Sequence, residues 1–260
     1  LDVEGPSDVV LGQSFQISLS THSKWTGQAD ITIATGTPYS TIDRTEVYWD
    51  QQKQEHTTPA YTHRFGIRLP DPPRVLVVSG QGNFSITQYT MEPFSLRVAL
   101  HTAPETSVTV SWTKEHVWAY VKATYIGEPA GSEEEHDWPG YFDNDKPRCA
   151  LPYGVPNLFN AWIVAKRQLS DVGLEIKVRD RGPWFPYKDA YPAGSNWYNE
   201  YWKDGGWKPL AVFMQGLARK GDENLYTING ASLDLTRKAI EDLGFDFNTY
   251  WSGNVYWRLK

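Results

Sequence analysis

One cysteine, Cys149, stands in the 260 residues, so no disulfide can form within this sequence. Neither CxxC nor HExxH occurs, which removes the usual zinc signatures, and the sequence calls for no metal and no cofactor. No basic run is present and the formal net charge is -6. A phosphate backbone or an anionic membrane surface requires clustered lysine and arginine, so neither is the expected partner. No stretch approaches the roughly eighteen apolar residues of a membrane span. Repeats and low-complexity tracts are also missing. The first residue is Leu1 rather than methionine, from which a processed or trimmed product is expected. Cys149, between Pro147 and Leu151, reads as a small buried hydrophobe, because nothing nearby in sequence lowers its pKa.

What the chain does have is aromatic residues, 12 Trp, 15 Tyr and 10 Phe, and strand patterning. Ser14–Ser20, Asp30–Ile33, Phe94–Leu100 and Ser107–Trp112 alternate apolar and polar residues, and Gly/Pro/Asn/Ser clusters separate them. No window between Val9 and Val121 carries a helical period. Short alternating strands at this spacing predict an antiparallel β-sandwich over residues 1–116, immunoglobulin-like in the loose sense and suited to a spacer or binding role. No glycine- or serine-rich linker follows, and a second domain is expected over 117–260.

In that second half Leu174-Glu175-Ile176-Lys177-Val178 reads as a strand, with Asp180-Arg181-Gly182-Pro183-Trp184 turning the chain out of it. Later, Gly230-Ala231-Ser232-Leu233-Asp234-Leu235-Thr236 leads into a short helix from Arg237 that ends at Gly244, a common C-terminal glycine position. Upstream lie Ala123-Thr124-Tyr125-Ile126-Gly127-Glu128, Phe142-Asp143 and Ala150-Leu151-Pro152-Tyr153-Gly154. In this order the segments resemble the landmarks of rare-lipoprotein-A-like domains: an "ASYYG" opening strand, "FD…TLPFGT", "DRGPF" and "DLS…A…LG". The resemblance covers about residues 117–260 and implies a six-stranded double-psi β-barrel. Its superfamily also holds expansins, family-45 endoglucanases and lytic transglycosylases. The chain departs from the pattern at Gly140, where the family has a glutamate, and at Arg148, where it has a histidine. It also carries a large aromatic insertion, 184–230, where the family has a few residues.

Cleavage of a glycosidic bond needs an acid to protonate the leaving oxygen, and inverting hydrolysis also needs a base. The resemblance makes Asp234 the candidate catalytic acid, the alternative being an aspartate that caps the 237–244 helix. Asp143 is the candidate partner through its match to "FD", with Asp145 close enough to substitute; both also suit a polar turn. Asp180 is either a substrate contact or, with Arg181, an ion pair that fixes the strand end. Tyr125 and the insertion residues Trp184, Trp197, Trp202 and Trp207 are candidate substrate-binding rings, since aromatic faces stack on sugar C–H groups; packing among themselves is the competing reading. His116 and His136 have no triad pattern around them.

The expected function is action on cell-wall polysaccharide, either peptidoglycan cleavage of the lytic-transglycosylase kind or glucan hydrolysis or loosening. The expected location is extracellular, periplasmic, or on a virion or cell surface. A second reading is a non-catalytic glycan-binding or structural protein, such as a virion tail or adhesion component, with the barrel as scaffold. Gly140 and Arg148 favour that second reading.

Overall fold

The computed structural model describes residues 1–44, 47–49, 55–57, 61–125, 145–152, 160–182, 233–248 and 250–260. The chain divides into two compact units, residues 1–42 with 63–118 and residues 43–62 with 119–260. The fold is mainly β, and among the described residues no helix is long and apolar enough to cross a membrane.

In the first unit the strands are β1 (Asp2–Glu4), β2 (Val9–Val10), β3 (Ser14–Ser20), β4 (Gly27–Thr35) and then, beyond the excursion described below, β9 (Ile67–Arg68), β10 (Arg74–Val77), β11 (Gln81–Gln88), β12 (Phe94–Leu100) and β13 (Ala103–Trp112). Apart from β2, whose Val9 and Val10 pair in parallel with Val117 and Trp118, they form two separate four-stranded sheets, ordered β1-β3-β11-β9 and β10-β4-β12-β13, in which every pairing is antiparallel. The expected strands are present, and three are longer or more continuously buried than their alternation predicted. Phe94–Leu100 is a central strand, hydrogen-bonded on both sides, and five of its seven residues are buried. The two sheets touch through Phe15 of β3, whose ring meets Trp112 of β13 at 5.6 Å and Phe94 of β12 at 6.4 Å, while Phe94 and Trp112 stack at 4.8 Å. The Trp112 indole is anchored by donating to the Pro6 carbonyl at 2.8 Å. Ser79 and Gly80, both with positive φ, make the two-residue turn between Val78 and Gln81 that right-handed strand twist favours.

Between β4 and β9 lies an excursion absent from the sequence expectation. Strand β5 (Ser40–Arg44) pairs with β8 (Tyr61–Phe65), and β6 (Val47–Trp49) pairs with β7 (Glu55–Thr57). A one-turn 3-10 segment, Lys114–His116, precedes the strand that starts at Val117. His116 faces Asp8 at 3.2 Å, and the same carboxylate accepts from the Trp118 indole at 2.9 Å.

The second unit is built around a closed six-stranded mixed barrel. Its strands are β14 (Val117–Tyr125), β15 (Arg148–Pro152), β16 (Trp162–Lys166), β17 (Leu174–Gly182), β18 (Leu233–Leu235) and β19 (Ser252–Leu259). Around the ring the order is β14-β18-β15-β17-β16-β19 and back to β14. The β14–β18 and β15–β17 pairs are parallel and the other four antiparallel. Alternation fills the interior with Val121, Ala123, Cys149, Ile163, Ile176, Val178, Leu233, Leu235, Val255 and Trp257, all 2% exposed or less. Small and large residues interlock there: the register partners of Trp257 are Ala119 on one side and Ala165 on the other, which leaves room for the indole.

One expectation is corrected by β17. The Asp180-Arg181-Gly182 segment is strand rather than turn, paired in parallel with Ala150-Leu151-Pro152 after a register shift between Cys149 and Ala150. Local composition favours a turn, but a partner some thirty residues away supplies the backbone hydrogen bonds that make it a strand.

The expected helix is present as α1 (Arg237–Asp242). It ends in a full Schellman arrangement, with Phe245 N–H donating to the Ile240 carbonyl at 3.2 Å and Gly244 N–H to the Glu241 carbonyl at 2.9 Å. Gly244 sits at φ 79°, where a side chain is disfavoured. Gly244→Ala is therefore expected to cost about 1–2 kcal/mol, read as a lower denaturant midpoint at unchanged slope.

Candidate functional site

The parallel β14–β18 pair brings Thr124 level with Asp234, and the antiparallel β18–β15 pair brings Asp234 level with Ala150. Ala150 is in turn level with Asp180. Thr124, Asp234, Ala150 and Asp180 thus form one rung across four strands, which sets two aspartate positions 54 apart in the sequence on the same rung with Ala150 between them. The side chain of Asp234 points outward and is partly exposed, because Leu233 and Leu235 on either side of it point into the core. The Thr124 hydroxyl donates to Asp234 Oδ1 in a short contact.

Leu233 and Leu235 flank Asp234 in the sequence but not at the site. Both are fully buried on the opposite face, so they fix the strand instead of lining the site. The helix alternative is also changed: the N-cap of α1 is Thr236, two residues beyond Asp234. Thr236 is fully buried and its hydroxyl does not cap the helix. It donates to the Lys146 carbonyl at 2.7 Å and accepts from Arg148 N–H at 3.0 Å, tying the turn before β15 to the end of β18.

This tie holds Asp145, an exposed turn residue, beside the start of α1. Arg237, in the first turn of α1, is held above the usual arginine range first by its hydrogen bond to Glu241 at 2.8 Å. Tyr125 and Asp145 are close enough to add to the effect. The Arg237 guanidinium lies 5.2 Å over the Phe247 ring, and Tyr125 meets the same ring edge-on at 4.8 Å. Four chain segments therefore converge on the end of β14: the turn at Asp145, β18 with Asp234, α1 with Arg237, and the loop with Phe247.

Of the residues singled out in the sequence, Asp234, Tyr125 and Asp145 fall in this region, and Asp180 joins it through its backbone register. Asp143, Trp184, Trp197, Trp202, Trp207 and His136 lie outside the described residues. Thr124, Arg237 and Phe247 were missed as site residues. Thr124 lay inside a quoted motif, but its role depends on a parallel partner 110 positions away, which no local pattern reveals. Arg237 and Phe247 carried no signal beyond their place around a short helix.

Cys149 lies in the core behind this wall, level with Leu235. Burial pushes its thiol far above the ordinary cysteine range, and the Asp234 carboxylate adds to the shift while Arg148 opposes it. The folded protein is expected to leave Cys149 unlabelled by iodoacetamide at pH 8, with one equivalent taken up after denaturation. Labelling of the native protein at the rate of a free thiol would contradict the burial.

No family model matches the chain. No curated protein matches it in sequence either.

Proposed function

We propose that the chain acts on cell-wall polysaccharide, with the barrel of the double-psi, rare-lipoprotein-A-like kind and Asp234 as general acid. The two parallel pairs, β14–β18 and β15–β17, support the double-psi reading. Each joins strands that are not consecutive in the chain, as two crossing loops require. In this reading the two four-stranded sheets of the first unit form a sandwich that serves as spacer or wall-binding module, and the protein works outside the cell membrane or on a virion or cell surface.

The observation that carries the catalytic reading is the rung itself. A partly exposed carboxylate on a rigid barrel wall stands level with a second aspartate position, and the end of β14 next along the chain gathers Tyr125, Phe247 and the turn that carries Asp145. Rigid strands hold catalytic groups better than loops do. Asp234 then protonates the leaving glycosidic oxygen, and Asp145 or Asp143 serves as base. Incubation with purified peptidoglycan and with cellulose, followed by mass spectrometry of soluble products, tests activity, polymer and product type together. Anhydro-ended muropeptides would assign lytic cleavage, whereas reducing-ended glucan fragments would assign hydrolysis.

A second reading, a non-catalytic binding or scaffold protein, is favoured by the Thr124 contact. A hydroxyl donating to Asp234 across two parallel strands is also what a purely structural strut does. Absence of soluble product from both polymers, with retention on one of them, would select that reading. In both cases the aromatic insertion is the proposed grip on the polymer. Trp197→Ala with Trp202→Ala is expected to weaken polysaccharide pull-down and leave the melting temperature nearly unchanged; loss of folding would make these rings core.

A further inference from the structure

The outer strands of the two sheets in the first unit differ in how their edges are protected. Strand β1 has three residues and carries Asp2 and Glu4, β9 has two residues, and β10 has four, following Pro72-Pro73 and opening on Arg74. Shortness, charge and proline are the usual means by which a sheet edge is kept from pairing with another chain. Strand β13, in contrast, has ten residues. Its first residues are blunted, since Pro104 has no N–H and its carbonyl accepts from Arg97 at 2.6 Å. From Thr106 to Trp112 no such device is present. The run Thr-Ser-Val-Thr-Val-Ser-Trp has no charge and no proline, and its register with β12 is unbroken from Ser107 to Trp112. Strand β13 ends its sheet, and among the described residues no strand pairs with its outer side.

The core layer reaches this edge and stays partly uncovered there. Val108 and Val110 are level with Val98 and Leu96 of β12 and share their face. Val98 and Leu96 are fully buried, whereas Val108 and Val110 are only half-buried.

We propose that a second copy of this chain pairs with β13, edge to edge and antiparallel about a two-fold axis at Thr109, joining two four-stranded sheets into one of eight. A two-fold axis normal to a sheet brings together residues whose side chains lie on the same face, so partner positions differ by an even number. Thr109 is the centre of the uncharged run, and only an axis there pairs all seven of its residues. Thr109 then meets its own copy, Val108 meets Val110 on the core side, and Ser107 meets Ser111 on the outer side. Valine pairs extend the apolar strip, and hydroxyl pairs suit the exposed face. The nearest charges, Glu105 before the run and Lys114 after it, have opposite sign, so antiparallel pairing brings each close to the other. A strand of another protein could satisfy the same backbone groups, but this self-matching of side chains about Thr109 singles out a second copy. One short edge buries less than a standard interface, so the dimer is a weak one. It also carries two barrels, which would hold a repeating polymer more firmly than one; that consequence rests on the proposed glycan reading, whereas the pairing does not.

Sedimentation velocity of the whole chain from about 1 µM to about 1 mM tests association over the range of weak complexes. The expected result is a rise from the mass of one chain toward twice that mass. Thr109→Lys places two like charges opposite each other at the axis, and it is expected to weaken association at least about tenfold. Thr109 is exposed, so a melting temperature near that of the unchanged protein is the control for folding. Thr109→Cys tests the register separately. Paired Cα atoms in an antiparallel sheet lie about 4.5–5.5 Å apart, within disulfide reach, and the chain's own Cys149 is buried. Mild oxidation is expected to link the Thr109→Cys variant into a covalent dimer. The Ser111→Cys variant is expected to stay unlinked, because Ser111 and its copy stand about 13 Å apart along the paired strands. A chain that remains monomeric throughout, a dimer unaffected by Thr109→Lys, or equal linking of both cysteine variants would each overturn the proposal.

Discussion

Asp234→Asn is expected to lower release of soluble glycan by about a hundredfold or more while leaving the melting temperature close to that of the unchanged protein. The amide has nearly the shape of the carboxyl and keeps an oxygen for the Thr124 hydroxyl, so the strut between β14 and β18 survives. What it loses is a proton to transfer. Leu233 and Leu235 anchor the strand from inside the barrel and do not touch this change. Thr124→Val is the companion variant, because it removes the strut and keeps the acid. If Asp234→Asn retains full activity on a cleaved substrate while Thr124→Val destabilises the protein, Asp234 is a structural tie. If Asp234→Asn alone abolishes activity, the tie is secondary to the chemistry.

Trp257→Ala is expected to destabilise the protein by about 3–5 kcal/mol, a large part of the stability of an ordinary domain. The indole fills the centre of the barrel between Ala119 and Ala165, and neither alanine can reach into the space that its removal leaves. Its Nε1 is buried without a hydrogen-bond partner, an arrangement that itself carries a cost of about 1–3 kcal/mol. Trp257→Phe removes that unsatisfied donor with part of the ring, so its loss should be well below that of Trp257→Ala. Chemical denaturation of both variants checks this. Equal losses would overturn this, since they would mean that the ring volume kept by phenylalanine contributes nothing at the barrel centre.

Strands that alternate in sequence were legible, since their pattern is local. Ser14–Ser20, Phe94–Leu100 and the start of β17 at Leu174 fall where apolar and branched residues predict them. The α1 helix and its Gly244 terminus were legible for the same reason. The continuation of β17 through Asp180 to Gly182 was not, because its hydrogen bonds come from β15 and not from its neighbours in sequence. The β5–β8 and β6–β7 pairs were also missed; short polar strands such as Glu55–Thr57 have no apolar face to announce them. At the site, Asp234 and Asp145 were legible as acids in suggestive motifs. That Leu233 and Leu235 point away from the site follows only from the barrel's inside and outside, which β-alternation cannot assign without the partner strands.

Strand β18 is three residues long, yet it closes the ring, and its partner on β14 lies 110 positions earlier. Until those three residues are synthesised, β14 and β15 each keep an unpaired edge, and no local turn can bring them together. Closing so long a span costs loop entropy before any contact repays it, so ring closure is expected to be a slow, late step of folding. A ribosome-bound chain that ends before Leu233 lacks β19 as well as β18 and therefore leaves edges of β14, β15 and β16 open during synthesis, the condition in which edge-to-edge association competes with folding.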